Sequence, residues 1–235
     1  MQPGFLAHSK LLAPRDSLMQ LLLSQQVKRK RHFVSVQIGG GLALGLLNQG
    51  PQRARVSSSP TAGLAYSYEL SPSLRLSAGA QYQMRGGLNA SKTFSSLDFG
   101  FGFEREDQVL TIRHLHYLEL PLRLQVRVYD RHYLSAGAQY VRLLTSSGNL
   151  RSDYADDYNS LTLSSNNACG YTQGFAPDDY QLSLGYSYYL GKGFMLGAEY
   201  SQGLKDLSDN SYFRNQTIDR NQLIRLKLSY DLFHF

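Results

Sequence analysis

From His32 onward, apolar residues recur at every second position, a period that fits strands and not helices. Eight segments carry it. In the first, Val34, Val36, Ile38, Leu42, Leu44 and Leu46 share one parity, with Ser35, Gln37, Gly39, Gly41 and Ala43 on the other. The second sets Leu64, Tyr66, Tyr68 and Leu70 against Gly63, Ala65, Ser67 and Glu69. The third sets Leu74, Leu76, Ala78, Ala80 and Tyr82 against Arg75, Ser77, Gly79 and Gln81. The fourth sets Leu118, Leu120, Leu122, Leu124 and Val126 against Tyr117, Glu119, Pro121, Arg123, Gln125 and Arg127. The fifth runs over 133–144 and the seventh over 194–203. The sixth sets Leu182, Leu184, Tyr186 and Tyr188 against Gln181, Ser183, Gly185 and Ser187. The last sets Ile224, Leu226, Leu228 and Tyr230 against Arg225, Lys227, Ser229 and Asp231. Each is long enough for the roughly 9–11 residues of a tilted membrane strand.

The connections alternate in length. Ser71-Pro72-Ser73, Tyr129–His132 and Gly191-Lys192-Gly193 read as tight turns. Between them lie long polar stretches at 47–60, 87–112, 145–179 and 205–221. Short turns on one rim and long loops on the other are the pattern of an outer-membrane barrel. A repeat supports it: Leu76-Ser77-Ala78-Gly79-Ala80-Gln81-Tyr82 recurs letter for letter at Leu134–Tyr140, and more weakly at Gly197-Ala198-Glu199-Tyr200. Each copy follows a tight turn, so all three are expected to run away from the same rim, as a hairpin repeat does.

Composition decides which face meets what. Hydrophobic residues are 42% of the 235 and charged residues only 18%, below the roughly 25% of a soluble domain. No window approaches the roughly 18 consecutive apolar residues of a spanning helix, which excludes a helical membrane protein and leaves a barrel open. The polar parity mixes Arg and Glu with Gly, Ser and Gln, as a narrow lumen would. The other parity is Leu, Ile, Val, Ala and Tyr, suited to lipid with an aromatic girdle. Eight strands leave an interior that side chains fill. The expected architecture is therefore all-β: an eight-stranded antiparallel up-and-down transmembrane β-barrel over 32–235, preceded by a short helical or disordered tail over 1–31. Its lumen is predicted to be closed by ion pairs among Glu69, Arg75, Glu119, Arg123, Arg127, Glu199, Arg225 and Asp231. A soluble barrel with the faces reversed is the competing architecture.

The net charge of +6 invites a nucleic-acid reading, but apart from Lys28-Arg29-Lys30-Arg31 the basic residues are scattered singly, so no nucleic-acid partner is expected. A single Cys, Cys169, excludes an internal disulfide framework and a Cys-based zinc cluster. In the tail, Asp16 could cap a helix over 17–26 with the basic run at its C-terminal end. Charge after the apolar run reverses the order of a secretory signal. An export signal is therefore expected upstream, or a start other than Met1.

The run Tyr117-Leu118-Glu119-Leu120-Pro121-Leu122 resembles the YLEIPL strand of the PorT-like outer-membrane β-barrel family common in Bacteroidota. The Ser-Ala-Gly-Ala-Gln-Tyr strands and the C-terminal Leu226–Leu232 are similar to that family too, so the resemblance covers about 32–235. It implies a bacterial outer-membrane location. It also implies contact with outer-membrane lipid and lipopolysaccharide, and insertion by the assembly machinery through an aromatic-ended last strand, here Phe233-His234-Phe235. Many members have no assigned activity, and a few are tied to secretion or gliding machinery, so an envelope protein partner is a further expectation.

Candidate chemistry is sparse. His114 and His116 sit where the fourth strand enters from a long loop, but their parity with Leu118 turns both imidazoles toward lipid. A dyad with Ser95, Ser96 or Asp98 would need geometry the spacing does not supply. Asp153, Asp156 and Asp157 form an acidic cluster without EF-hand spacing. Phe99, Phe101 and Phe103 alternate with glycines, and Glu104–Asp107 could turn into Val109–Ile112, giving an extracellular hairpin whose aromatics could bind a partner or glycan. No phosphate-binding loop opens a helix. No catalytic residue, metal or cofactor is assigned. The expected role is a non-enzymatic barrel, structural or interacting at the cell surface or in an envelope assembly. A narrow pore or small-ligand carrier, and a lipid-modifying enzyme, remain as alternatives.

Overall fold

In the computed structural model the described residues are 32–44, 57–86, 90–98, 104–155, 160–209, 212 and 220–234. Their strands are β1 (His32–Leu44), β2 (Ser57–Ser58), β3 (Thr61–Ser71), β4 (Leu74–Arg85), β5 (Ala90–Asp98) and β6 (Glu104–Tyr129). They continue with β7 (His132–Ala155), β8 (Ser160–Cys169), β9 (Asp178–Gly191), β10 (Phe194–Asp206) and β11 (Arg220–His234). The tail, Leu46, Phe99, Phe101, Phe103, Asp156, Asp157 and Phe235 lie outside the described residues.

Eight strands close a ring, β1–β3–β4–β6–β7–β9–β10–β11, every neighbour antiparallel. β11 returns to β1, with Phe33 opposite His234 and Leu44 opposite Gln222. Closure leaves no unpaired edge in the ring, which a sheet in hydrocarbon requires. The three expected turns join β3–β4, β6–β7 and β9–β10. The last is left-handed throughout, with φ of 104° at Gly191, 52° at Lys192 and 85° at Gly193, so the flanking glycines carry a conformation other residues resist.

The faces are divided as their parity demands. Leu184 is 65% and Leu226 63% exposed, while Arg225 and Glu119 are 0% exposed. Leucines out and charges in is the inverse of a soluble protein and removes the reversed-face alternative. Near the tight turns the outer face carries Tyr66, Tyr129, Tyr186, Phe194 and Tyr230. His32 bonds the Tyr66 hydroxyl at 2.5 Å and His132 that of Tyr186 at 2.6 Å, completing an interfacial girdle. The repeat also has a place: β4 and β7 flank β6, so Ala78 and Ala138 both lie opposite Leu122.

Two of the supposed long loops are not loops. β6 has 26 residues and β7 has 24, and both run on past the ring to pair with β5 and β8. The result is a four-stranded sheet, β5–β6–β7–β8, carrying roughly 30 Å of strand beyond the barrel at about 3.3 Å per residue. The expected hairpin exists with its parts exchanged. Glu104–Asp107 is strand rather than turn, and its partner strand is Ala90–Asp98 rather than the Phe/Gly run.

Candidate functional site

The inward parity of the ring brings charged side chains from separate strands to the lumen centre. Glu199 on β10 faces three cations: Arg123 binds it by Nε at 2.9 Å and Nη2 at 3.2 Å, Arg225 at 2.6 Å, and Lys227 at 2.9 Å. Glu119 on β6 takes the other arm of Arg225 and the amide of Gln81 on β4. Arg225 also donates to Gln139 at 3.1 Å, Gln139 to Gln181 at 2.8 Å, and Gln181 to Asp179 at 3.2 Å. Asp179 accepts the Lys205 backbone N–H at 3.1 Å. Six of the eight ring strands are thus cross-linked by one polar network. Arg123 and Glu199 are 6% and 7% exposed, so these pairs act in a buried interior where unpartnered charge is costly.

Four of the eight expected lumen residues, Glu119, Arg123, Glu199 and Arg225, form this cluster. Glu69 and Arg75 do not join it: they pair with each other at 3.1 Å beside the β3–β4 turn, where they are cross-strand neighbours. Arg127 makes no ion pair among the described residues and sits near the β6–β7 turn, while Asp231 lies at the same rim beside Gly193. Lys227, Gln81, Gln139, Gln181 and Asp179 belong to the network beyond the eight residues expected in it. Their signal was lumen parity at matching depth.

On the tight-turn side of the cluster a small cavity is lined by Gln37, Ser135, Ser187, Gly197 and Ser229. On the other side the lumen turns apolar, with Leu115, Tyr117, Val141, Leu143 and Phe175 buried together. Register shifts between Ile112 and His114, and between His116 and Tyr117, keep Leu110 and Ile112 on the same side as Leu115 and Tyr117. Beside this cluster Arg85, 0% exposed, lies over the Tyr117 ring at 5.7 Å.

The remaining candidates separate. His116 faces outward, bonded to the Tyr82 hydroxyl and, at 3.1 Å, to Ser147. Ser95 lies opposite Asp107, roughly 23 Å along β6 from His114 at about 3.3 Å per residue, so no dyad forms. Asp153 lies in β7 rather than a loop, paired with Arg151 at 3.1 Å and Thr162 at 2.7 Å. It faces Asp107 across the strands, which pairs with Arg105 at 2.7 Å. Thr162 and Arg151 hold Asp153 below the ordinary carboxylate range, and Ser95 and Arg105 do the same for Asp107. Among the described residues no three His, Cys, Asp or Glu side chains are placed to hold a metal. The opposite face of this extracellular sheet exposes Phe94, Tyr154, Leu161 and Leu163.

A family model described as outer membrane protein beta-barrel domain matches residues 23–209. Among solved structures, the attachment invasion locus protein Ail of Yersinia pestis is similar at 11% identity and TM-score 0.42, covering 88% of this chain and 99% of that one. Neisserial surface protein A is similar at 10% identity and TM-score 0.43, over 85% and 97%. OprG of Pseudomonas aeruginosa is similar at 15% identity and TM-score 0.34, over 88% and 98%. No curated protein sequence matches.

Proposed function

This chain belongs to the outer membrane protein beta-barrel domain family, and from that premise we propose that it is a non-conducting, non-enzymatic barrel that presents its extracellular sheet to an envelope or surface partner. The protein resides in the bacterial outer membrane. The observation that carries the proposal is the network of Glu119, Glu199, Arg123, Arg225 and Lys227, whose side chains reach across the ring from several strands. An eight-stranded interior has little section to spare once such side chains occupy it.

The lipid-modifying alternative has little support, because His116 is engaged by Tyr82 and Ser147 on the lipid face and the Ser95 neighbourhood is distant. Within the family the Tyr117–Leu122 run supports placement in the PorT-like group, with 32–235 acting as one barrel domain. Outer-membrane lipid and lipopolysaccharide are the expected neighbours of the leucine face. The assembly machinery is the expected partner of β11, and an envelope protein that of the β5–β8 sheet.

Planar-bilayer recording of the refolded protein tests the central claim. We expect no steady conductance at any moderate voltage. A large, stable open channel overturns the closed-lumen reading and restores the pore.

A further inference from the structure

Arg85 is fully buried, and none of its three guanidinium nitrogens has a hydrogen-bond partner among the described residues. It points into the lumen from the end of β4, on the same parity as Gln81 and Gln83. Around it other donors are also unpaired: the Gln83 amide and the Tyr117 hydroxyl are buried without partners, and the two residues sit directly opposite in the β4–β6 register. On the β10 and β11 walls the Ser201 hydroxyl and Asn221 amide are buried and unpaired as well.

Charge sharpens the case. The described inner lumen carries four cations, Arg85, Arg123, Arg225 and Lys227, against three carboxylates, Glu119, Glu199 and Asp179. Glu199 and Glu119 are shared among the other three cations. Asp179 accepts the Lys205 backbone N–H and the Gln181 amide and is ion-paired to no cation among the described residues. Toward the tight turns, Arg75 is matched by Glu69 at 3.1 Å. Four cations against three carboxylates leave one positive charge over in the described inner lumen, and Arg85, packed over the Tyr117 ring, is the cation with no ion-paired or hydrogen-bonded carboxylate among the described residues. An uncompensated buried charge is among the costliest features a fold can carry.

We propose that the extracellular half of the lumen binds a compact oxyanion, a carboxylate or a phosphate, with Arg85 as its cation and Gln83 and Tyr117 as flanking donors. The guanidinium fork matches two oxygens of either group. The narrow section restricts the ligand to a small one, and burial strengthens each contact.

The test is thermal unfolding of the full chain in detergent micelles, with chloride replaced at constant ionic strength by phosphate or by acetate. The wild-type midpoint should rise saturably with at least one of them, and which one identifies the oxyanion. R85Q should be flat with both, yet in chloride it should melt no lower than wild type, because it removes a charge that has no partner. R85K, which keeps the charge but loses the fork, should need at least tenfold more anion. R113Q, at an exposed site, should respond as wild type does. The proposal is overturned if neither anion moves the wild type, if R85Q responds like wild type, or if R85Q melts well below wild type in chloride. The last result would mean that Arg85 is held by Glu119 or Asp179. If R85Q does not fold, the R85K titration decides: an unshifted curve overturns the proposal.

Discussion

Glu199 is the residue on which the lumen depends, and Glu199→Gln tests that directly. The substitution keeps the shape of the side chain, removes its charge and turns one of its two accepting oxygens into an NH2 donor facing cations. Arg123, Arg225 and Lys227 all lie within 3.2 Å of its carboxylate, so afterwards these three cations share Glu119 alone. Removing one partner of a buried pair costs about 3–5 kcal/mol, and with three cations exposed to the loss a value of about 4 kcal/mol or more is expected. Glu69→Gln supplies the contrast, because the Glu69–Arg75 pair sits beside a turn with its side chains 21% and 11% exposed. There the cost should be about 0–1 kcal/mol. Urea unfolding of the refolded protein measures both, with faster migration of the unheated sample in SDS confirming that each variant has formed its barrel. At a slope of about 2 kcal/mol/M, Glu199→Gln should lower the midpoint by about 2 M, and adding Lys227→Met should recover part of it. A midpoint indistinguishable from that of Glu69→Gln would refute the reasoning, since it would mean that water, not protein, solvates the central charges.

Two further predictions concern the wall and the extracellular sheet. A Cβ on Gly137 would lie 2.3 Å from the Leu122 carbonyl oxygen and 2.9 Å from Arg123 Cγ, so Gly137→Ala should cost about 1–3 kcal/mol by overpacking. Its lipid-facing neighbour should accept Ala138→Val within about 0.5 kcal/mol, and equal urea midpoints for the two would contradict the close approach. In the β5–β8 sheet, Asp153, Asp107 and Glu106 titrate below their ordinary values because Thr162, Ser95 and Gln108 donate to the charged forms, helped by Arg151 and Arg105 at the two aspartates. Carboxyls held low favour the folded sheet above their unfolded values near pH 4 and lose that contribution as pH falls through the lower folded values. Hydrogen exchange in β5–β8, corrected for its intrinsic pH dependence, should therefore accelerate below about pH 4 while the barrel strands stay protected. Uniform protection at pH 3 and pH 6 would contradict it.

The ring was readable from the sequence because lipid outside and polar side chains inside leave every strand with a two-residue period. That parity places Glu119, Arg123, Glu199 and Arg225 on the lumen wall, but it carries no depth. Glu69 and Arg75 share the parity and pair beside a turn, while Lys227, two residues from Arg225, belongs to the centre. Depth is set by strand register, which the residues of one strand do not encode alone. The extracellular sheet was hidden for a different reason. β5 and β8 are rich in Ser, Thr and Asn and read as loop; they become strands because β6 and β7 continue without a break and offer them an edge. The register shifts at Ile112/His114 and His116/Tyr117 break the parity count where the strand leaves the ring, so the inward apolar cap could not be read from alternation.

The seam between β1 and β11 has a consequence in time rather than in space. Phe33 pairs with His234 and Val36 with Tyr230, contacts separated by almost the entire polypeptide. Contact order this high makes folding slow, and until the seam forms both strands present open edges that are prone to aggregation. The barrel therefore cannot become edge-free while its chain is still being delivered. The first strand must wait for the last, so both edges stay open until the C-terminal strand arrives.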